Sequence, residues 1–177
     1  MPATPPTPTT TRRQALAIIR TNRRTLLKLI DRLPARALSR AGLGGGDWSP
    51  KDLIGHLESW EEHALEALGA WERGERAAID RDLEAVGLDG VNAREVERKA
   101  AGRAREAFDR AAETHASLID AVKAIDDAHW DAPVRARGKR TLGQRVGGIL
   151  GGPDGPFRHD RAHLHEVKAF VSEHGGV

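Results

Sequence analysis

The sequence predicts an all-α protein, a four-helix bundle with long crossover loops, on three observations. Apolar residues recur at three- and four-residue spacing through segments of twenty residues or more, marking one face of each. Helix-start signals precede two of these segments, Ser49-Pro50 with Asp52 three residues on and Asn92 with Glu95. Charged residues, 31% of the chain, fill the opposite faces. At 177 residues with 39% apolar side chains, the chain suits one compact core, which gives a single domain over residues 12–177.

In order, Met1 to Thr11 is a Pro/Thr tract that reads as a disordered tail, neither a secretion signal nor a membrane span. Helix one runs from Arg12 to Leu33 on Leu16, Ile19, Leu26, Leu27, Ile30 and Leu33, and Pro34 with the glycines at 42 and 44–46 ends it. Helix two runs from Ser49 to Arg73. Ser49 caps it, Pro50 suits a first turn whose N–H groups are unpaired, and Asp52 meets the positive end of the dipole. Leu53, His56, Leu57, Trp60, His63, Ala64, Leu68 and Trp71 lie on or near its inward stripe.

Gly74 to Val91 reads as a polar connection of about eighteen residues, suited to a crossover that roofs a site. Helix three is expected from Asn92, as its cap, to Ile125. Asp131 to Pro153 is basic and glycine-rich, with Arg135 to Arg140 ahead of one short helix near Thr141, and it is long enough to act as a lid. The turn Gly151 to Pro156 launches the last helix, Phe157 to Glu173, with His159, His163, Val167 and Phe170 inward and His165 facing solvent.

Composition excludes several classes. Without cysteine there is no disulfide framework, Fe–S cluster or thiol nucleophile, so histidines remain as the soft ligands. The net charge is +2, with 28 basic and 26 acidic residues interleaved, so the pI of 9.3 is not read as a nucleic-acid footprint. Aromatics at 4%, with no tyrosine, leave little for base stacking. The expectation is a cytoplasmic protein with no nucleic-acid or membrane partner. It is expected to be a homodimer, since apolar-rich bundles often bury a further helix face.

The chemistry concentrates in two stretches. Trp48-Ser49-Pro50-Lys51-Asp52-Leu53-Ile54-Gly55-His56-Leu57 sets His56 about two turns into helix two. His159-Asp160-Arg161-Ala162-His163 sets two imidazoles four residues apart, which on a helix stacks them on one face. Eight histidines in such a chain would give some pair at this spacing by chance roughly a quarter of the time, so the pair alone is no metal signature. Three imidazoles from two helices, however, would make an open divalent site for Zn²⁺, Ni²⁺ or Fe²⁺. His63 lies roughly 10 Å along the axis from His56, too far for the same ion, and would line the cavity. Glu166, three residues after His163, would orient that ring, whereas Asp160 and Glu58 read as surface charges.

Taken together, these segments resemble the DinB-like (YfiT-like) superfamily of four-helix-bundle metalloenzymes, with ClbS/DfsB-like proteins among the candidates. The likeness rests on Trp48, Ser49, Asp52, His56 and Leu57, on Asn92, and on His159 and His163 after the Gly-Pro-rich turn. It implies a three-histidine site of His56, His159 and His163 with Trp60, His63, Asn92 and Glu166 around it. It also implies metal-dependent action on a small electrophilic molecule, by transfer of a low-molecular-weight thiol or by hydrolysis, in detoxification or self-protection. The competing class is a non-catalytic bundle that binds a metal or a small ligand, and a third is a bundle with no metal.

Overall fold

The computed structural model describes residues 9–134 and 138–175. The expected tail lies outside these residues up to Pro8, as does the Arg135–Arg137 part of the basic segment. Eight α-helices and no named strand occur among the described residues: α1 (Arg12–Ile30), α2 (Pro50–Glu72), α3 (Ala78–Lys99), α4 (Ala104–Ala124), α5 (Asp127–Trp130), α6 (Leu142–Ile149), α7 (His159–Ala162) and α8 (Leu164–His174). The all-α architecture is the expected one. None of the described helices is long and apolar enough to cross a membrane.

Capping chemistry sets the helix starts. Thr11 accepts from the Gln14 backbone N–H, and the Gln14 side chain bonds back to Thr11, closing a capping box. Ser49 and Asp52 do the same for α2, with Pro50 in the first turn. Ahead of α2, Leu43 and Trp48 pair across a glycine turn in which Gly44 (φ 64°) and Gly45 (φ 76°) take the left-handed conformation. α1 stops at Ile30, short of Leu33, and a 3₁₀ turn at Ala35–Ala37 follows Pro34.

The largest departure from expectation lies between residues 74 and 103. The presumed connection is mostly helical, since α3 begins at Ala78 and is interrupted only at Gly87 (φ 69°, ψ 177°). No apolar stripe announces it, because α3 buries only Ile79, Val91 and Glu95 and packs chiefly against α2. Ion pairs such as Arg76–Glu84 and Arg94–Asp82 clothe the rest. Asn92 therefore lies inside α3 and caps nothing. The presumed continuous third helix breaks at residues 100–103, where Gly102 (φ 95°) turns the chain before α4. The last helix is divided as well, with His163 (φ −92°, ψ −2°) at the joint between α7 and α8.

Two apolar clusters form the core. One joins Leu16 and Ile19 of α1 to Trp60, Ala64 and Trp71 of α2, Leu118 and Val122 of α4, Trp130 of α5, and Leu142 and Val146 of α6. The other joins Leu26 and Ile30 to Leu53 and Leu57, Ala111, and Val167 and Phe170 of α8. Along α1 the boundary between them falls at Arg23, which is only 4% exposed, and along α2 it falls around Glu58 and Glu61. This polar waist crosses the bundle at the level of the histidines.

The segment expected as a lid contains α6, which is docked rather than free. Leu142, Val146 and Leu150 are buried, and Leu150 O accepts from the His159 backbone N–H at 3.1 Å. At Gly143 an added Cβ would lie 2.4 Å from Nε1 of the buried Trp130, which already donates to Thr10 O. Gly143→Ala should therefore destabilise the fold by about 1–3 kcal/mol despite alanine's better helix propensity. Urea denaturation measures this, and an unchanged or higher midpoint would contradict the packing.

Candidate metal centre

His56 enters from the second turn of α2, and its position follows from the Ser49–Asp52 cap that fixes where the helix starts. His159 and His163 come from α7 and the joint after it. The structure brings the three together: Nε2 of His56 lies 2.9 Å from Nε2 of His159, and one ring nitrogen from each of the three lies within 4.8 Å of the others. Ring centroids are 4.8 Å apart for His56–His159, 5.4 Å for His56–His163 and 5.3 Å for His159–His163.

The environment keeps the inner rings neutral. Burial, then the neighbouring His159 and His163, pushes His56 down to about 2 against the opposing pull of Asp160. Burial, then His163 and Arg23, pushes His159 down to about 3. Neutral imidazole is the form that offers a lone pair to a cation. At His163, Nδ1 lies 2.9 Å from Glu166 Oε2, which assigns the proton to Nδ1 and leaves Nε2 as a free donor of electrons. Gly44 in the turn before α2 packs on that carboxylate, since a Cβ there would meet it at 3.3 Å.

The donor set fits a divalent transition ion. Zn–N bonds of about 2.0–2.1 Å in tetrahedral arrangement put ligand nitrogens about 3.3 Å apart, inside the range of separations in this cluster. One N–H···N bond would satisfy His56 and His159 as a pair, yet it would leave the third ring, already oriented by a carboxylate, without a reason to converge on them. His56 Nδ1 is buried without a hydrogen-bond partner, against the half-buried Trp48, whose ring centroid is 5.0 Å away.

The surrounding residues divide. Trp60 presents its ring edge-on to His159 at 5.9 Å and to His56 at 6.5 Å, and its Nε1 donates to Asn92 Oδ1 at 3.1 Å. Asn92 thus holds a wall of the centre. His63 lies outside the cluster, 5.6 Å from the Trp60 ring, with Nε2 buried and unpartnered, and burial lowers its pKa against the pull of Glu95. The side chain of His165 is 79% exposed.

Two residues taken as surface charges are not. Asp160 accepts from Arg23 Nε at 2.6 Å with its side chain 12% exposed, and Glu58, 2% exposed, pairs with Lys99 at 2.8 Å. Both need buried cations from distant helices, which spacing along one helix does not reveal. Sequence reasoning also missed Arg23 and Glu61, whose ion pair is 3.1 Å long, and His115, which lies 2.6 Å from Glu61. A signal was present, since Arg23 interrupts the apolar stripe Leu16, Ile19, Leu26, Ile30. Burial alone would depress the Arg23 pKa, but Asp160 and Glu61 raise it above its usual value. Beside His159 a cavity of about 10 Å³, lined among others by Asn22, Glu61 and Asp160, has room for about one water.

Residues 18–151 match the model of the DinB superfamily. No curated protein matches the chain in sequence. An uncharacterised protein from Escherichia coli UTI89 superposes with a TM-score of 0.77 at 12% identity, covering 93% of this chain and 94% of its own. The colibactin self-resistance protein ClbS, solved in complex with a dsDNA, superposes with a TM-score of 0.73 at 13% identity over 95% and 98%. These likenesses are of fold. The ClbS complex overturns the expectation that nucleic acid is excluded, because a near-balanced total charge says nothing about how charge is distributed over a surface.

The neutral rings give the metal-free protein a definite pH dependence. Between pH 6.5 and the folded values of about 2 and about 3, the unfolded chain binds protons that the folded chain refuses. The stability contributed is therefore complete above pH 6.5 and is lost as pH falls, at up to about 1.4 kcal/mol per pH unit per ring. Denaturation of chelator-treated protein from pH 7.5 to pH 5.5 should show this slope, and His56→Gln/His159→Gln should flatten it. Equal slopes in the two proteins would mean that the rings are not held neutral.

Proposed function

This chain belongs to the DinB superfamily, and from that premise we propose that His56, His159 and His163 hold one divalent transition ion, Zn²⁺, Ni²⁺ or Fe²⁺, in an enzyme acting on a small electrophilic molecule. The observation that carries the reading is the convergence of the three ring nitrogens within 4.8 Å, two of them neutral by burial and the third oriented by Glu166. An ion so held would supply Lewis acidity to a water or a thiol, the chemistry that hydrolysis or thiol transfer needs.

The chain's own residues define the rest. Glu166 keeps the His163 proton on Nδ1, and the Arg23–Asp160 pair fixes the backbone beside His159. Trp48 and Trp60 shield His56 on two sides, while His163, with an 18% exposed side chain, is open to solvent and gives the direction of substrate entry. The co-substrate of a transfer reaction would be a low-molecular-weight thiol, since the chain has no cysteine of its own.

One observation favours a second reading. The cavity beside His159 is only about 10 Å³, too small for an organic substrate, which suits a bundle that binds metal without turnover. Elemental analysis tests the shared step: purified protein should carry close to one transition ion per chain, or gain thermal stability on taking one up after chelation. His56→Ala and His163→Ala should abolish uptake and His165→Ala should not; equal uptake by all three would refute the site. Metal-loaded protein that consumes neither a thiol with an alkylating electrophile nor a strained-ring substrate would favour the non-catalytic reading.

A further inference from the structure

Positive charge is concentrated at one end of the sequence. Residues 12–40 hold nine of the 28 Arg and Lys side chains and, in Asp31, one of the 26 acidic ones. Two of the nine are engaged: Arg12 bonds Asp127 at 2.8 Å, and Arg23 is buried in the waist. The other seven, Arg13, Arg20, Arg24, Lys28, Arg32, Arg36 and Arg40, are exposed, and none makes an ion pair within 4.0 Å among the described residues. Asp120, already 2.8 Å from Lys123, is the carboxylate within electrostatic reach of Arg20. By contrast Arg94, Arg98 and Lys99 sit 2.6–2.8 Å from carboxylates.

Four of the seven are ordered along one helix face. Arg13, Arg20, Arg24 and Lys28 fall within about 80° of arc on α1 at about 100° per residue, on the side away from Leu16, Ile19, Leu26 and Ile30. From Arg20 to Lys28 each step of four residues advances about 6 Å along the axis. Arg32, Arg36 and Arg40 continue the four-residue spacing through the turn and the 3₁₀ segment. Arg36 and Arg40 line a groove of about 410 Å³ with Glu173 and His174, the Glu173 carboxylate lying 3.9 Å from His174. Like charges at this spacing oppose helix formation, a cost offset within the helix only at Lys28, which meets the negative end of the dipole in the last turn.

We propose that the outer face of α1 and the turn after it bind the phosphate backbone of double-stranded DNA without reading sequence. A row of unpaired cations complements a regular row of phosphates. The ridge offers no aromatic platform for bases, because no Trp or Phe of the described structure is fully exposed and the chain has no tyrosine, which disfavours a single strand. Nothing there inserts into a membrane, because the exposed large apolar side chains, Val86 and Leu88, are on α3. The ridge side chains only donate hydrogen bonds and offer no acceptor to a ribose 2′-hydroxyl.

Fluorescence anisotropy of the full chain with a labelled, mixed-sequence duplex of about 20 base pairs tests this across about 50–300 mM KCl, where each neutralised phosphate adds about 0.9 to the salt slope. The expected slope of log K against log salt is about −4 to −6. Arg20→Ala/Arg24→Ala/Lys28→Ala should weaken binding at least about tenfold and reduce the slope by about three, with unchanged circular dichroism. Arg20→Lys/Arg24→Lys should retain binding, and Arg81→Ala/Arg105→Ala, on α3 and α4, should leave the slope unaltered. Four results would overturn the proposal: no duplex binding at the lowest salt, equal losses in the ridge and control variants, tighter binding of a single strand or an RNA duplex, or preference for phosphatidylserine vesicles.

Discussion

A guanidinium held out of water between two carboxylates organises this bundle. Arg23 of α1 reaches Asp160 of α7 at 2.6 Å and Glu61 of α2 at 3.1 Å, and Glu61 continues to His115 of α4 at 2.6 Å. Four helices meet in that network. Each charge has lost its hydration, and only its partners compensate, so removing one costs about 3–5 kcal/mol where replacing all of them with apolar groups need not. A network of this kind fixes arrangement more than it adds stability. It divides the core into two apolar clusters and ties the residue next to His159 to a helix more than a hundred positions away in sequence.

The legible and illegible parts of the chain follow from what a single helix can report. The starts of α1 and α2 were readable because a cap is a local device, complete within four residues. The three histidines were readable because their spacing placed them near the starts of two helices. α3 was not, since a helix held by ion pairs on the outside of another has no apolar period. The break at His163 leaves the i,i+4 pair close together, so spacing led to the right neighbours through a wrong local geometry. The buried acids beside the histidines were misread for a related reason: whether a charged residue on an inward stripe is tolerated depends on a partner from elsewhere in the chain. Total charge failed in the same way, because it averages over faces that meet different surroundings.

The family match ends at Gly151, and the structural likenesses run nearly the full length at 12–13% identity. Membership therefore supports the helices that carry His56, Trp60 and Asn92 more directly than it supports the pair at 159 and 163. For that pair the weight falls on geometry and environment: convergence of ring nitrogens, neutrality imposed by burial, and a carboxylate holding the outermost ring. These are requirements of coordination chemistry that hold whatever the fold.

Phe157 couples the histidines to the core. It is the single non-glycine residue with positive φ among the described residues, at 60°, a conformation that side chains adopt only when surrounding packing enforces it. Its ring is stacked 5.9 Å from that of Trp130, and two residues later the chain delivers His159. Phe157 also lines the small cavity beside His159, so the position of that imidazole depends on an aromatic stack packed against Gly143 and Gly147 of α6. A substitution that loosened Trp130 would thus reach the histidines through Phe157 and the backbone of Arg158 rather than through any contact with a ring nitrogen.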